Sequence, residues 1–173
     1  MRVLLIVLLV KSIVYGYMET VYSTQDEAFQ QVFPLHQVDS RRIPISAEQR
    51  EAMESTLHMA IPNDEITVYT FHKEDTLQGY GVVTNELGKH EPITFFVAFT
   101  SDLFVKGIVV MTYREPYGDE VRKKRFLKQF RQRRVTDPIR VYQDITPVSG
   151  ATVSAIAIAN GVRRLLVTLH TLL

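Results

Sequence analysis

The run Ile93-Thr94-Phe95-Phe96-Val97-Ala98-Phe99-Thr100, followed after Ser101-Asp102 by the apolar stretch from Phe104 to residue 113, decides the fold of this chain. Ile93, Phe95, Val97 and Phe99 alternate with Thr94, Phe96, Ala98 and Thr100, the period of two that belongs to a strand. Val105, Val109 and Met111 carry the alternation beyond the turn. Two earlier segments, residues 65–72 and 77–85, read the same way and are bounded by polar or glycine residues. Short polar links join all of them, so a meandering antiparallel sheet of about four strands is the economical arrangement.

Outward from the sheet, the helices announce themselves by their starts. Thr24-Gln25-Asp26-Glu27 has capping-box spacing and predicts a short helix that ends at Pro34. Ser46-Ala47-Glu48-Gln49 repeats the device and predicts a helix to about Met59, with Met53, Leu57 and Ala60 at helical spacing. A third helix is expected over residues 118–132, and a last one begins near Thr152 and runs almost to the C-terminus. The third and last helices would cover a face of the sheet, which makes the fold α+β. A turn at Thr136-Asp137-Pro138 and a short extended segment over residues 139–142 lead into the last helix. There is no internal repeat and no low-complexity linker, so residues 17–173 read as a single domain.

Composition removes several chemistries. The 173 residues are 46% hydrophobic with a formal net charge of +1, as in an ordinary globular domain. Without cysteine there is no disulfide, thiolate metal site, iron–sulfur cluster or thiol nucleophile. Arg2 followed by the apolar run from Val3 to Val10, with Val14-Tyr15-Gly16 as a cleavage region, makes residues 1–16 a secretory signal or an uncleaved anchor. A buried N-terminal strand is the third reading. The run is far shorter than the roughly 20 residues of a spanning helix.

The candidate functional stretch is Ser149-Gly150-Ala151-Thr152, placed just before the last helix. At a helix start, unpaired N–H groups and the positive end of the dipole favour an anion by roughly 0.3–1 kcal/mol. A phosphate on Thr152 would be stabilised there. Gly150 and Ala151 let a bulky phosphorylated group approach the backbone. The ordinary alternative is that these hydroxyls are helix caps.

With Asp144-Ile145-Thr146-Pro147-Val148 upstream, Ser154 downstream, and Tyr113-Arg114-Glu115-Pro116-Tyr117-Gly118 and Gly88-Lys89 earlier, the C-terminal half resembles the small FMN-binding domains of the Rnf complex and the sodium-pumping NADH:quinone reductase. The resemblance implies that Ser-Gly-Ala-Thr is a flavinylation motif. Thr152 would carry FMN through a phosphoester bond made by a flavin transferase with FAD as donor. It makes Ser149, Gly150, Ala151 and Ser154 the motif's other cofactor-binding candidates, and Glu115, Arg114, Tyr113 and Lys89 candidates for the pocket wall. Many members carry an acidic residue three positions before the motif serine; here Thr146 stands there, with Asp144 two positions earlier.

The remaining constellations point elsewhere or nowhere. Arg122-Lys123-Lys124-Arg125, with Lys128, Arg131, Arg133 and Arg134, is the densest charge cluster, interleaved with Phe126, Leu127 and Phe130. It fits an amphipathic helix with a solvated basic face, and alternatively a nucleic-acid surface, a dock for an acidic redox partner or a seat for anionic lipid. His36, His58, His72, His90 and His170 show no zinc-site spacing. No Gly-x-Ser-x-Gly elbow, Gly-x-Gly-x-x-Gly or Walker loop is present. The expectation is an extracytoplasmic, periplasmic or membrane-associated electron carrier with FMN as cofactor and a membrane or extracytoplasmic redox partner, and no catalytic residue, metal or nucleic acid. A non-covalent flavin-binding or interaction module is the alternative.

Overall fold

The computed structural model describes residues 19–173, so the expected signal or anchor lies outside the described residues. The sheet has six strands: β1 (Thr20–Val21), β2 (Gln37–Pro44), β3 (Glu65–Lys73), β4 (Thr76–Leu87), β5 (Pro92–Thr100) and β6 (Val105–Tyr113). Their spatial order is β1-β6-β5-β4-β3-β2, antiparallel throughout. The four expected strands are the central four. The two additions are edges: β1 is two residues long, and β2, Gln-Val-Asp-Ser-Arg-Arg-Ile-Pro, is exposed along nearly its whole length.

Both faces of the sheet are covered. Ile93, Phe95, Val97 and Phe99 point into a core shared with α4 (Thr152–Leu172) and with the segment containing Val121, Phe126 and Phe130. Phe96 and Ala98 point the other way, where α1 (Gln25–Val32) lays Ala28 and Phe29, with Phe33 just beyond its end, on Phe71, Val109 and Met111. Phe33 stacks on Phe71 with ring centroids 4.1 Å apart, and Phe29 meets Phe71 edge-on at 5.2 Å. Each buried ring of this kind contributes about 1.5–3 kcal/mol through burial alone. Helix α2 (Ala47–Leu57) packs Met53 and Leu57 beside Val167 and Leu172 of α4.

Three sequence expectations need correction. Val105 does not share a face with Val109 and Met111: β6 slips register against β5 between Ala98 and Phe99 and again between Thr94 and Phe95. An inserted residue at each bulge reverses the side on which later side chains emerge. The helix expected over 118–132 is instead a 3-10 turn (Asp119–Arg122), a one-turn helix α3 (Lys124–Leu127) and a second 3-10 turn (Lys128–Phe130). Val121 and Phe126 are both buried, yet five residues on a continuous helix would set them about 140° apart; the extended Lys123 brings both to the core and breaks the row of like charges. Residues 139–142 are not extended either. Ile139 and Tyr142 have positive φ, and the Asp144 carboxylate accepts from the N–H of Ile139 at 3.0 Å and of Arg140 at 2.7 Å, winding the segment into a loop.

Helix α4 alone among the described helices is long and apolar enough to cross a membrane, but it is the core helix of this fold.

Candidate functional site

Helix α4 starts without a cap. Ala151 occupies the N-cap position and has no side chain able to accept from the first turn, while its N–H donates to Val148 O at 3.0 Å. Ahead of it, Gly150 has φ +78, a conformation that costs an L side chain about 1 kcal/mol or more. A Cβ at Gly150 would meet no heavy atom within 4 Å, so the approach to the helix start is open. Thr152, the first helical residue, is half-buried, and Ser149 and Gly150 are exposed. Among the described residues nothing caps the N–H groups of this first turn, and no acidic side chain lies in it.

Ser154, two residues into the helix, is turned inward and buried. Its Oγ lies 2.8 Å from the Tyr113 hydroxyl, which donates to Tyr117 O at 2.7 Å. Tyr113 has one proton and the carbonyl can only accept, so Ser154 is the donor of this pair. The turn that closes the loop ends at Gly118, φ +99, where a Cβ would stand 2.5 Å from the Tyr113 hydroxyl and 3.0 Å from Ser154 Oγ. Tyr113, Gly118 and Ser154 therefore clamp the start of α4 against the end of β6. Burial, above all, pushes the Tyr113 phenol up from its ordinary value, which keeps it a neutral donor.

Arg114 and Glu115 brace the neighbouring hairpin. Glu115 Oε1 accepts from the N–H of His90 at 2.8 Å and of Glu91 at 3.2 Å, beside Gly88. Arg114 donates to Pro92 O and Thr94 Oγ1, each at 2.9 Å, and pairs with Glu19 at 3.0 Å. Lys89 is exposed at the tip of that hairpin. The structure thus joins Tyr113 and Ser154 directly, holds Arg114 and Glu115 in backbone-supporting roles, and leaves Thr152 and Ser149 as the accessible hydroxyls of the motif.

Sequence reading missed the apolar surface around Thr152. Val153 is 46% exposed, Ile156 41% and Tyr117 83%. Thr152, Val153 and Ile156 fall within about 100° of one another on the helix, and Tyr117 belongs to the turn clamped to it. The signal was present as Val153 and Ile156 falling on one helical face, but it merges with the apolar run of a buried helix. Uncapped N–H groups, an open glycine and an exposed apolar shelf form a donor set that fits the phosphate and ring of a flavin nucleotide.

These features define a small α+β domain built around the start of its last helix. Residues 88–167, which hold the hairpin, the clamp and the motif, match the FMN-binding domain family. This part of the chain is an FMN-binding domain, and FMN is its cofactor. Among solved structures the chain is similar to Shewanella oneidensis NqrC, with a TM-score of 0.57 and 16% identity over 86% of this chain and 89% of that one. Comparison with curated proteins finds no match.

Proposed function

We propose that the protein is an extracytoplasmic electron carrier whose FMN is attached by a phosphoester bond to Thr152. The observation that carries this reading is the uncapped start of α4, where a half-buried Thr152 hydroxyl stands among free N–H groups beside an open Gly150. Attachment forms one bond, from Thr152 Oγ to the flavin-side phosphorus of FAD, and breaks the bond from that phosphorus to the AMP portion. AMP leaves, and the proton of Oγ–H is lost to solvent. A flavin transferase catalyses the step.

Flavin supplies one- and two-electron transfer, and the protein's part is to hold, shield and tune it. The first-turn N–H groups of α4 hold the phosphate charge, and Val153, Ile156 and Tyr117 offer a surface that excludes water from the ring. The clamp of Tyr113 and Ser154 fixes the helix start relative to the sheet. Glu115 and Asp119 lie near this site, but their charge is spent on backbone N–H groups and on Tyr22 and Arg122, respectively. The electron partner is a membrane-bound or extracytoplasmic redox protein, and residues 1–16 direct or anchor the chain to that compartment. A tether suits a compartment in which a dissociated cofactor would be diluted away.

The test is the intact mass of the protein co-expressed with a flavin transferase. One FMN less one water should be added and should map to the peptide containing Thr152. An unmodified chain that releases its flavin on denaturation would establish the non-covalent reading instead.

A further inference from the structure

Away from the motif, a half-open cavity of about 220 Å³ lies between α2, the loop around Asp144 and the middle of α4. Its polar walls are Thr56, Arg134, Asp137, Arg140, Gln143 and Arg163. Arg163 sits eleven residues along α4 from Thr152, about 16 Å along the axis. None of the three guanidinium groups has an ion-pair or hydrogen-bond partner among the described residues. Arg134 and Arg140 enter hydrogen bonds only through their backbones.

The nearby carboxylates do not balance them. Asp144 spends both oxygens on the N–H groups of Ile139 and Arg140 and pairs with Arg133 at 3.2 Å. Asp137 accepts from the Arg134 N–H at 2.9 Å and is the single acid in the wall. Three cations against one anion leave an excess of two. Burial first, and then repulsion from Arg140, lowers Arg163 from its ordinary value, while the Asp144 carboxylate acts in the opposite direction.

We propose that this cavity binds a small doubly charged oxyanion of the phosphate type, with Arg163 at its inner wall and Arg134 and Arg140 at its rim. Guanidinium groups suit this ligand because their planar donors match two oxygens at once. Gln143 offers a further amide donor, whereas the Thr56 hydroxyl is committed to Ala52 O at 2.9 Å. Asp144 winds the loop that carries Arg140 on the rim. The source is either a free phosphate-class ion or the headgroup of an anionic lipid, and the site is independent of flavin attachment.

The experiment uses the full chain carrying Thr152→Ala, so that its result does not depend on the flavin reading. Inorganic phosphate is titrated at constant ionic strength, with chloride as reference, and followed by thermal midpoint and 31P line width. Phosphate should raise the midpoint saturably beyond chloride, and Arg163→Gln should weaken binding roughly tenfold or more. Arg140→Gln, at an exposed position, gives the same reading if the first variant folds poorly. Vesicles of phosphatidic acid displaced by free phosphate identify a headgroup as the source; no vesicle binding alongside phosphate binding identifies a free ion. Equal effects of phosphate and chloride, or wild-type affinity in both glutamine variants, overturn the proposal.

Discussion

Helix α1 opens with Thr24, whose hydroxyl accepts from the N–H of Glu27 at 3.3 Å while Glu27 reaches back to the Thr24 N–H at 2.8 Å. Helix α2 does the same with Ser46 and Gln49. Helix α4 opens on Ala151, and the Thr152 hydroxyl caps nothing. All three helices carry a hydroxyl residue at or next to their first position, yet only the two framework helices use it to satisfy their own backbone. The helix that dominates the core is the one left chemically open at its start. Its stability does not need a cap, because Ala155, Ile158, Val162, Leu165, Leu166 and Leu169 are buried against the sheet. Packing energy has freed the N–H groups for a ligand.

The sharpest way to break this contrast is to remove each hydroxyl in turn. Thr152→Ala should abolish covalent flavin altogether while shifting unfolding free energy by no more than about 0.5 kcal/mol, because the half-buried hydroxyl makes no hydrogen bond that the change would remove. Fluorescence of the chain on a denaturing gel, together with a urea midpoint, checks both halves. Retained covalent flavin, or a loss of stability as large as that of a cap, would dissolve the distinction. Next in size, Gly118→Ala forces a Cβ to within 2.5 Å of the Tyr113 hydroxyl at φ +99. The cost should be about 1–3 kcal/mol, and the displaced clamp should lower the yield of flavinylation. Tyr113→Phe keeps the ring but orphans Tyr117 O and Ser154 Oγ, and should cost about 1–3 kcal/mol by the same urea assay.

The same contrast explains what was legible in the sequence. The central strands are evident because alternating apolar residues such as Ile93, Phe95 and Val97 have a buried face to answer to. Strand β2 carries no such pattern: five polar or charged side chains, a proline and only Val38 and Ile43 as apolar residues leave backbone hydrogen bonds to define it, and those are invisible in composition. The capping boxes of α1 and α2 were readable because both partners lie three residues apart. The clamp was not, because Tyr113 and Ser154 are 41 positions apart and only the fold joins them. The motif could be located at the start of α4, but not the exposed shelf of Val153 and Ile156. Basic residues 122–134 suggested a single helix because charge and periodicity were counted without the demand that Val121 and Phe126 reach the same core.

Smaller effects sharpen the framework side. Thr24→Ala and Ser46→Ala should each cost about 1 kcal/mol, the usual worth of an N-cap, with flavin attachment unchanged in both. Urea midpoints and the intact mass separate these outcomes, and a loss of modification in either variant would tie the framework helices to the site.

The smallest effect concerns acid. Asp119 follows Gly118 and receives Arg122 Nε at 3.0 Å and the Tyr22 hydroxyl at 2.8 Å, contacts that hold its carboxyl below the usual range, with Arg122 the larger cause. A carboxyl depressed in the folded state contributes stability that is present above its unfolded value and is lost as pH falls through the folded one. Glu27 is depressed in the same sense by the Thr24 N–H and hydroxyl. The first turn of α4 contains no acidic residue and has no such dependence. Asp119→Asn and Glu27→Gln should therefore each flatten the fall in stability below the normal carboxylate range, most visibly in combination. Glu27 is exposed and the Asp119 side chain is 39% exposed, so screening keeps each contribution small. Urea midpoints measured across that acid range are the check. A slope unchanged in the double variant would place the acid sensitivity elsewhere and remove the electrostatic half of the difference between closed and open helix starts.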